Sequence, residues 1–348
     1  MFTTYIVLNM QQATDHAAPP SAQLVQFAMG SIVSRIVYVA AKLGIADQLA
    51  AAPRTPAEIA PAVGVHAPTL YRMMRTLAGF GILTETDGQR FGLTPVGEAL
   101  RSGTPGHATV MTIGGPLFAQ AFSELEYSVR TGESGFIKAT GMYVFEALAQ
   151  RPDEAALFSD TMVGFHGAEP PAVAEAYDFS TLGTIVDVGG ATGNMLAAIL
   201  GRHTQPKGVL FDLPHVVTGA PALLAERGVA SRVSIASGSF FETVPSGGDA
   251  YILSHIIHDW SEDQCLTILR NVRAAMTPSS KLLIVEFVLP AGDTPHPGKV
   301  IDMVMLALPG GTERTQAEYA ALLARAGLRL RRVVPTASAA SIVEALPA

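Results

Sequence analysis

The stretch "SHIIHDWSEDQC", Ser254–Cys265, gathers the side chains most able to do chemistry. It holds His255 and His258 three apart, Asp259, and the chain's single Trp and Cys, Trp260 and Cys265. Imidazole titrates near pH 7, so a histidine here can act as a general base or as a metal ligand. A metal pair needs a third ligand, and none stands near His255 and His258 at a familiar spacing, so no metal is expected. Trp260, Cys265 and His255 read as packing residues, with no partner that suggests a reactive thiol. Further along, Glu286 lies in the apolar run "KLLIVEFVLP", where an acid is costly unless it is paired. Glu313 stands beside Arg314 in "GGTERTQ", which fits a salt bridge as well as a site.

A second group lies upstream. "TIVDVGGATGN" puts Gly189, Gly190 and Gly193 after a strand, and such a turn lets backbone approach a ligand closely. The dinucleotide fingerprint G-x-G-x-x-G is absent, because Ala191, Thr192 and Asn194 occupy positions it needs. Asp187, at the strand end, would repel a pyrophosphate and suits a ligand bearing positive charge. S-adenosylmethionine, with an ammonium, a sulfonium and no phosphate, is such a ligand. Asp212, at the end of "KGVLFD", is placed to accept hydrogen bonds from ribose hydroxyls, which fits S-adenosylmethionine and NAD equally.

These residues need elements to hold them. The 348 residues suffice for two domains, each with its own core. The formal charge of −7 argues against general nucleic-acid binding. One cysteine excludes an intrachain disulfide and fits the cytosol, where the protein is expected. "MFTTYIVLNM" lacks a basic lead-in and a cleavage site, and no uncharged apolar run of about 18 residues suggests a membrane span. Residues 1–20 are expected to be loosely ordered.

From residue 21 to about 105 the pattern is helical and then strand-like. "TPAEIAPAV" opens with a capping box of Thr55 and Glu58 around Pro56. "ILTETDGQRFGLT" reads as a hairpin at Asp87-Gly88. Helices followed by a hairpin predict a winged-helix-like domain. Its candidate recognition helix offers only Arg72 and Arg75, too little charge for DNA. The apolar first helix is a candidate dimer surface. Residues 106–178 are expected to form a helical connector contributing to a substrate pocket. From 179 to 348 strands alternate with helices, which predicts a parallel α/β sheet closed by two antiparallel strands.

The blocks "VDVGGATGN", "FDLPHVV", "HDWSEDQCLTILRNVRAAM", "VEFVLP" and "GGTERTQAEY", in that order, resemble the plant-type and bacterial small-molecule O-methyltransferases. This group includes caffeate, flavonoid, carotenoid and polyketide enzymes. The resemblance runs from about residue 22 to the end. It implies a class I, Rossmann-like seven-stranded sheet, S-adenosylmethionine as methyl donor, a homodimer formed through the N-terminal domain, and neither a nucleic-acid nor a membrane partner. It also implies site roles: His258 as general base flanked by Glu286 and Glu313, and Asp187, Gly189, Gly190, Gly193, Asp212 and Leu213 around the cofactor. Ser239 and Phe240 stand where plant members carry an acid followed by Met against adenine, and Ser254 stands where they carry Lys. Phe158 and Met162 match pocket positions, with Met305, Leu308 and Pro309 opposite. The expected reaction is transfer of a methyl group to a hydroxyl of a small, flat, apolar aromatic or polyketide-like acceptor. The rival readings are an NAD-dependent oxidoreductase and a non-catalytic winged-helix regulator that binds S-adenosylmethionine or another ligand.

Overall fold

The computed structural model describes residues 19–348. The loose start expected over residues 1–20 lies outside the described residues, apart from Pro19 and Pro20, and Pro20 opens a helix. The chain forms two compact units. One takes the described residues up to Glu126 together with Gly135–Phe165; the other takes Tyr127–Ser134 and His166–Ala348. Residues 106–178, mainly helical, are thus divided between the two units.

In the first unit, the helix Pro20–Lys42 buries Tyr38, Ala40 and Ala41, while Leu24, Val25 and Phe27 are 60–68% exposed. By length and composition this helix is apolar enough to cross a membrane. Polar Gln26, Ser31 and Ser34 and the charged Arg35 punctuate its apolar positions, so it contains no uncharged apolar run of about 18 residues. Arg35 donates to the Gly114 carbonyl at 2.8 Å. Thr55 and Glu58 make the expected capping box, each side chain accepting from the other's N–H, at 3.3 and 2.7 Å. A cap of this kind stabilises a helix by about 1 kcal/mol. The helix Ala67–Gly79 turns Leu70, Met74 and Leu77 into the core with Ile59 and Phe91. Strands β1 (Leu83–Thr86) and β2 (Arg90–Leu93) pair antiparallel, with Gly88 and Gln89 both at positive φ in the turn.

The second unit is built on a sheet of β3 (Thr184–Val188), β4 (Lys207–Asp212), β5 (Val233–Ser237), β6 (Ala250–Ser254) and β7 (Lys281–Glu286). Short strands β8 (Val288–Leu289) and β9 (Arg314–Thr315) pair with each other, and β10 (Leu328–Pro335) and β11 (Ser341–Pro347) close the main sheet. The order is β10-β11-β7-β6-β3-β4-β5, seven strands. Strands β3–β7 pair parallel and β11 joins β7 antiparallel, as the sequence pattern predicts. Ile185, Val186, Ile252, Leu253, Leu282 and Ile284 are at 0% exposure, which is why these strands read as unbroken apolar runs rather than alternating ones. Each such side chain contributes about 1.5–3 kcal/mol on burial.

The chain runs from β3 outward to β4 and β5, then returns to β6 on the other side of β3. That reversal opens a crevice beyond the carboxyl ends of β3 and β6. The candidate residues Asp187, Asp212, Ser254 and Glu286 all lie at carboxyl ends of strands, and Gly189, Ser239 and His258 follow directly.

Candidate active site

Gly189, with φ +74°, turns the chain off β3, and its N–H donates to the Phe211 carbonyl at 2.8 Å. A side chain here would have to displace its neighbours. A Cβ on Gly189 would meet Ile256 at 2.5 Å, and one on Gly190 would meet the Asp187 carboxylate at 2.6 Å. Gly193, with φ +89°, caps the helix Asn194–Arg202. Asp187 is 1% exposed, and neither carboxylate oxygen has a well-aligned hydrogen-bond donor. Burial first, then the Asp212 charge, pushes its carboxyl up to about 7, which the nearby Leu196 N–H offsets only slightly. A buried acid of this kind is stabilised by a cation.

Asp212 ties β4 to the glycine turn. Its carboxylate accepts from the Ala191 N–H at 2.9 Å and the Leu213 N–H at 2.7 Å, and each oxygen keeps a second lone pair. Leu213 itself is 41% exposed. The Ser239 hydroxyl accepts from the Phe241 N–H at 3.2 Å and retains its own proton to donate. Phe240, Phe241 and Trp260 pack edge to face with ring centroids 4.9–6.1 Å apart, so Trp260 is a packing residue as expected. Ser254 ends β6, half-buried.

His258 sits on the 3-10 turn Ile257–Asp259 at 6% exposure. The sequence pattern left open which glutamate serves it; the structure separates them. Glu313 Oε1 lies 2.7 Å from His258 Nδ1, which places the ring proton on Nδ1 and leaves Nε2 as the second nitrogen. Glu286 does not reach the ring in hydrogen-bonding geometry. Its Oε1 instead accepts three consecutive backbone N–H groups, from Ile256, Ile257 and His258, at 3.1, 2.6 and 3.1 Å, and its Oε2 accepts from the Tyr319 hydroxyl. Successive N–H groups converging on one carboxylate make an anion nest, here one that shapes the turn carrying the base.

Burial pulls the His258 imidazole down, but Asp259, the bond to Glu313 and the Glu286 charge outweigh it and lift it to about 10. Asp259 Oδ1 stands 3.6 Å from Nε2, and its own carboxyl is raised by burial to about 6. The arrangement is a buried acid–base dyad with a third carboxylate near the outer nitrogen. Cys265 donates to the Ile257 carbonyl at 3.1 Å, and burial pushes its thiol up to about 11, so it is inert packing.

Several residues of this site went unread in the sequence. Asp302 Oδ1 accepts from the Glu313 N–H at 2.8 Å and steadies its segment. Gly311 runs hard under the base: a Cβ there would lie 1.8 Å from the His258 carbonyl oxygen. The doublet "GG" before Thr312-Glu313 was the available signal. Gly311→Ala must displace the His258 turn or the Glu313 segment. We expect a loss of at least about 3 kcal/mol in stability, read by thermal unfolding, and a melting point within a degree or two of the native one would refute the clash.

His255 corrects the sequence reading. Along the chain no third metal-type donor stands near it. The fold brings Glu169 and His166 to it from far upstream. His255 Nε2 lies 2.5 Å and His166 Nδ1 3.2 Å from the same oxygen, Glu169 Oε2. The signal, "HGAE", was visible but without meaning until β6 delivered the third group. His255 also holds a left-handed backbone, φ +52°, unusual for a residue with a Cβ. Burial tends to raise Glu169, but the two histidines outweigh it and hold it at about 2. Burial and His166 pull His255 down to about 4.

Of the expected substrate residues, Phe158 and Met162 lie half-buried on the helix Pro152–His166, in the first unit. Met305 is half-buried on the helix Gly298–Ala307 of the second, and its carbonyl accepts the Gly310 and Gly311 N–H groups at 2.8 and 3.0 Å. Leu308, at the end of that helix, is 3% exposed.

A seven-stranded, mainly parallel sheet, a glycine turn without the dinucleotide fingerprint and an unpaired acid at its first strand define a class I methyltransferase. The matches to known proteins carry this further. Residues 122–329 match the O-methyltransferase domain family and residues 25–103 the O-methyltransferase dimerisation domain. The phenazine O-methyltransferase PhzM of Lysobacter antibioticus is 45% identical over 332 residues, 95% of this chain and 97% of that protein. The O-demethylpuromycin-O-methyltransferase of Streptomyces alboniger is 39% identical, over 96% of this chain and 91% of its own. An O-methyltransferase from neocarzinostatin biosynthesis, crystallised with S-adenosylmethionine and 2-hydroxy-5-methyl naphthoic acid, matches with a TM-score of 0.80 at 34% identity, covering 91% and 96% of the two chains. The chain belongs to this O-methyltransferase family and is an S-adenosylmethionine-dependent enzyme. Neither rival reading, the NAD-dependent oxidoreductase or the non-catalytic regulator, gains any support.

Proposed function

We propose that this enzyme methylates a phenolic hydroxyl of a small aromatic or polyketide-like metabolite, with His258 as general base. The observation that carries the reading is the 2.7 Å contact between His258 Nδ1 and Glu313 in a buried setting. Two of the relatives named above are, by their names, methyltransferases of phenazine and O-demethylpuromycin, and the third was crystallised with a naphthoic acid, which supports a flat aromatic acceptor.

The site's residues fit the methyl donor. Asp187, buried and without a well-aligned donor, offers a counter-charge to a cation. The backbone at Gly189 and Gly190 admits no side chain. Asp212 keeps lone pairs for ribose hydroxyls, and Ser239 keeps a proton to give to an adenine nitrogen. When bound, the donor supplies a methyl group on a sulfonium that leaves without acid assistance. The chain's part is to hold the acceptor in line and take its proton. His258 Nε2 receives the phenolic proton as the new C–O bond forms, while Glu313 accepts from Nδ1–H and stabilises the imidazolium. Glu286 acts through the backbone nest and is a positioning residue.

The exposed apolar face of the helix Pro20–Lys42 falls within the matched dimerisation domain, which supports a homodimer formed through that helix. Incubation with methyl-labelled S-adenosylmethionine and a panel of phenols, hydroxynaphthoates and phenazines tests the acceptor class. Label in an aromatic ether is the expected product; label only in amines, or in none of the panel, would overturn the reading.

A further inference from the structure

We propose that His166, Glu169 and His255 form a binding site for one divalent transition-metal ion of the zinc class, beside the catalytic dyad. The three donor atoms all lie within 4.8 Å of one another, the only such group among the described residues. Nε2 of His255 and Nδ1 of His166 converge on one carboxylate oxygen. Donors around a tetrahedral zinc, at bonds of about 2.0–2.1 Å, are separated by about 3.3 Å. The His166–Glu169 distance of 3.2 Å already matches that span, and the 2.5 Å His255–Glu169 contact opens by less than about 1 Å to accommodate the ion.

The chemistry of the donors decides the class of ion. Two imidazole nitrogens and one carboxylate oxygen are borderline ligands that suit Zn²⁺, Ni²⁺ or Cu²⁺, whereas Mg²⁺ and Ca²⁺ require oxygen cages. Nδ1 of His255 has no hydrogen-bond partner, so the site lacks the outer support that tight zinc sites carry.

Position adds to the case. Glu169 is 4% exposed at the start of the helix Glu169–Ala176, a costly place for a charge unless it is compensated. His255 keeps its left-handed backbone on the loop that leads to the base, and its ring centroid is 5.1 Å from that of His258. Three protein ligands leave further coordination positions for water or an oxygen of a bound ligand, as in open metal sites.

The test is calorimetric titration of ZnCl₂ into tag-free, chelator-stripped protein, with no methyl donor or acceptor present, so its outcome is independent of the proposed acceptor and base. One equivalent per chain should bind. His166→Asn and His255→Asn should each weaken binding at least about tenfold, and His258→Asn should leave it unchanged. If His255→Asn fails to fold by circular dichroism, the more exposed His166→Asn carries the test. X-ray absorption of the zinc-loaded native protein should then show two imidazoles in the first shell. Absence of binding, equal affinity in His166→Asn, or loss in His258→Asn alone would leave a hydrogen-bonded triad only and overturn the site.

Discussion

His258→Ala will lower turnover by about 10²–10⁴-fold, the usual contribution of a positioned base, while the affinity for S-adenosylmethionine stays close to native. The separation follows from the geometry. The groups that fit the donor lie at the ends of β3 and β4, and the imidazole lies on the turn after β6. Calorimetry for the donor and single-turnover kinetics for the methyl transfer report the two halves separately. Native-like rates in the variant would remove the base assignment. The pH dependence provides a second check. Asp259, Glu313 and Glu286 hold His258 up at about 10 against burial, so the free enzyme carries an imidazolium at neutral pH. Only the neutral ring can accept a proton. The neutral fraction, and with it kcat/KM, should therefore rise about tenfold per pH unit below that value. Glu313→Gln removes a charge that favours the imidazolium, so the rise should move to lower pH while the maximal rate falls. A profile flat across neutral and alkaline pH, in native and variant alike, is incompatible with this base.

The second large effect is expected at Glu286. Glu286→Ala takes away the acceptor of three backbone N–H groups and the Tyr319 hydroxyl, all in a place with 0% exposure. Each buried donor left unmade costs about 1–3 kcal/mol, and relaxation and water entry recover part, so a loss of about 3–5 kcal/mol is expected. That corresponds to a fall in Tm of about 10 °C or more for a unit of this size. Activity should fall as well, because the turn that carries His258 loses its anchor. A proton-transfer residue and a positioning residue differ in one readout. In whatever fraction of Glu286→Gln folds, the rate should still climb with pH, at lower pH than in the native enzyme because a charge that favours the imidazolium is gone, since Glu313 still faces the ring. A Tm within a few degrees of native for Glu286→Ala would refute the nest.

The two roles show where sequence reasoning worked and where it stopped. Glu286 stood out because an acid among "LLIV" and "FVLP" is improbable without a partner. That argument says the residue matters and says nothing of whom it serves. The imidazole and the backbone of the same turn lie within reach of different glutamates, and the sequence spacing of Glu286 and Glu313 from His258 carries no information about direction. Gly311, Asp302 and Tyr319 are similar. The part of each depends on a close approach between segments of the fold that spacing along the chain does not show. The grouping of His255 with His166 and Glu169 was hidden in the same way. Along the chain no third donor is near, and His166 and Glu169 arrive across the fold.

Local patterns, then, were enough for the capping box at Thr55, the hairpin at Asp87-Gly88, the buried parallel strands and the glycine turn after β3. Each is governed by residues within a turn or a strand of one another, where propensity and periodicity act. The absent fingerprint and Asp187 pointed to a cationic donor, and S-adenosylmethionine is the donor the family uses; the preference of a strand-end acid is a property of the acid. Side-chain partnership was settled only by tertiary structure: Glu313 for the imidazole, Glu286 for the backbone nest, and Glu169 between two histidines. Those pairings are set by where β6, β7 and the segments around them end in space, and hydrogen bonds select partners by ångströms of distance and by angle, which no spacing along the chain encodes.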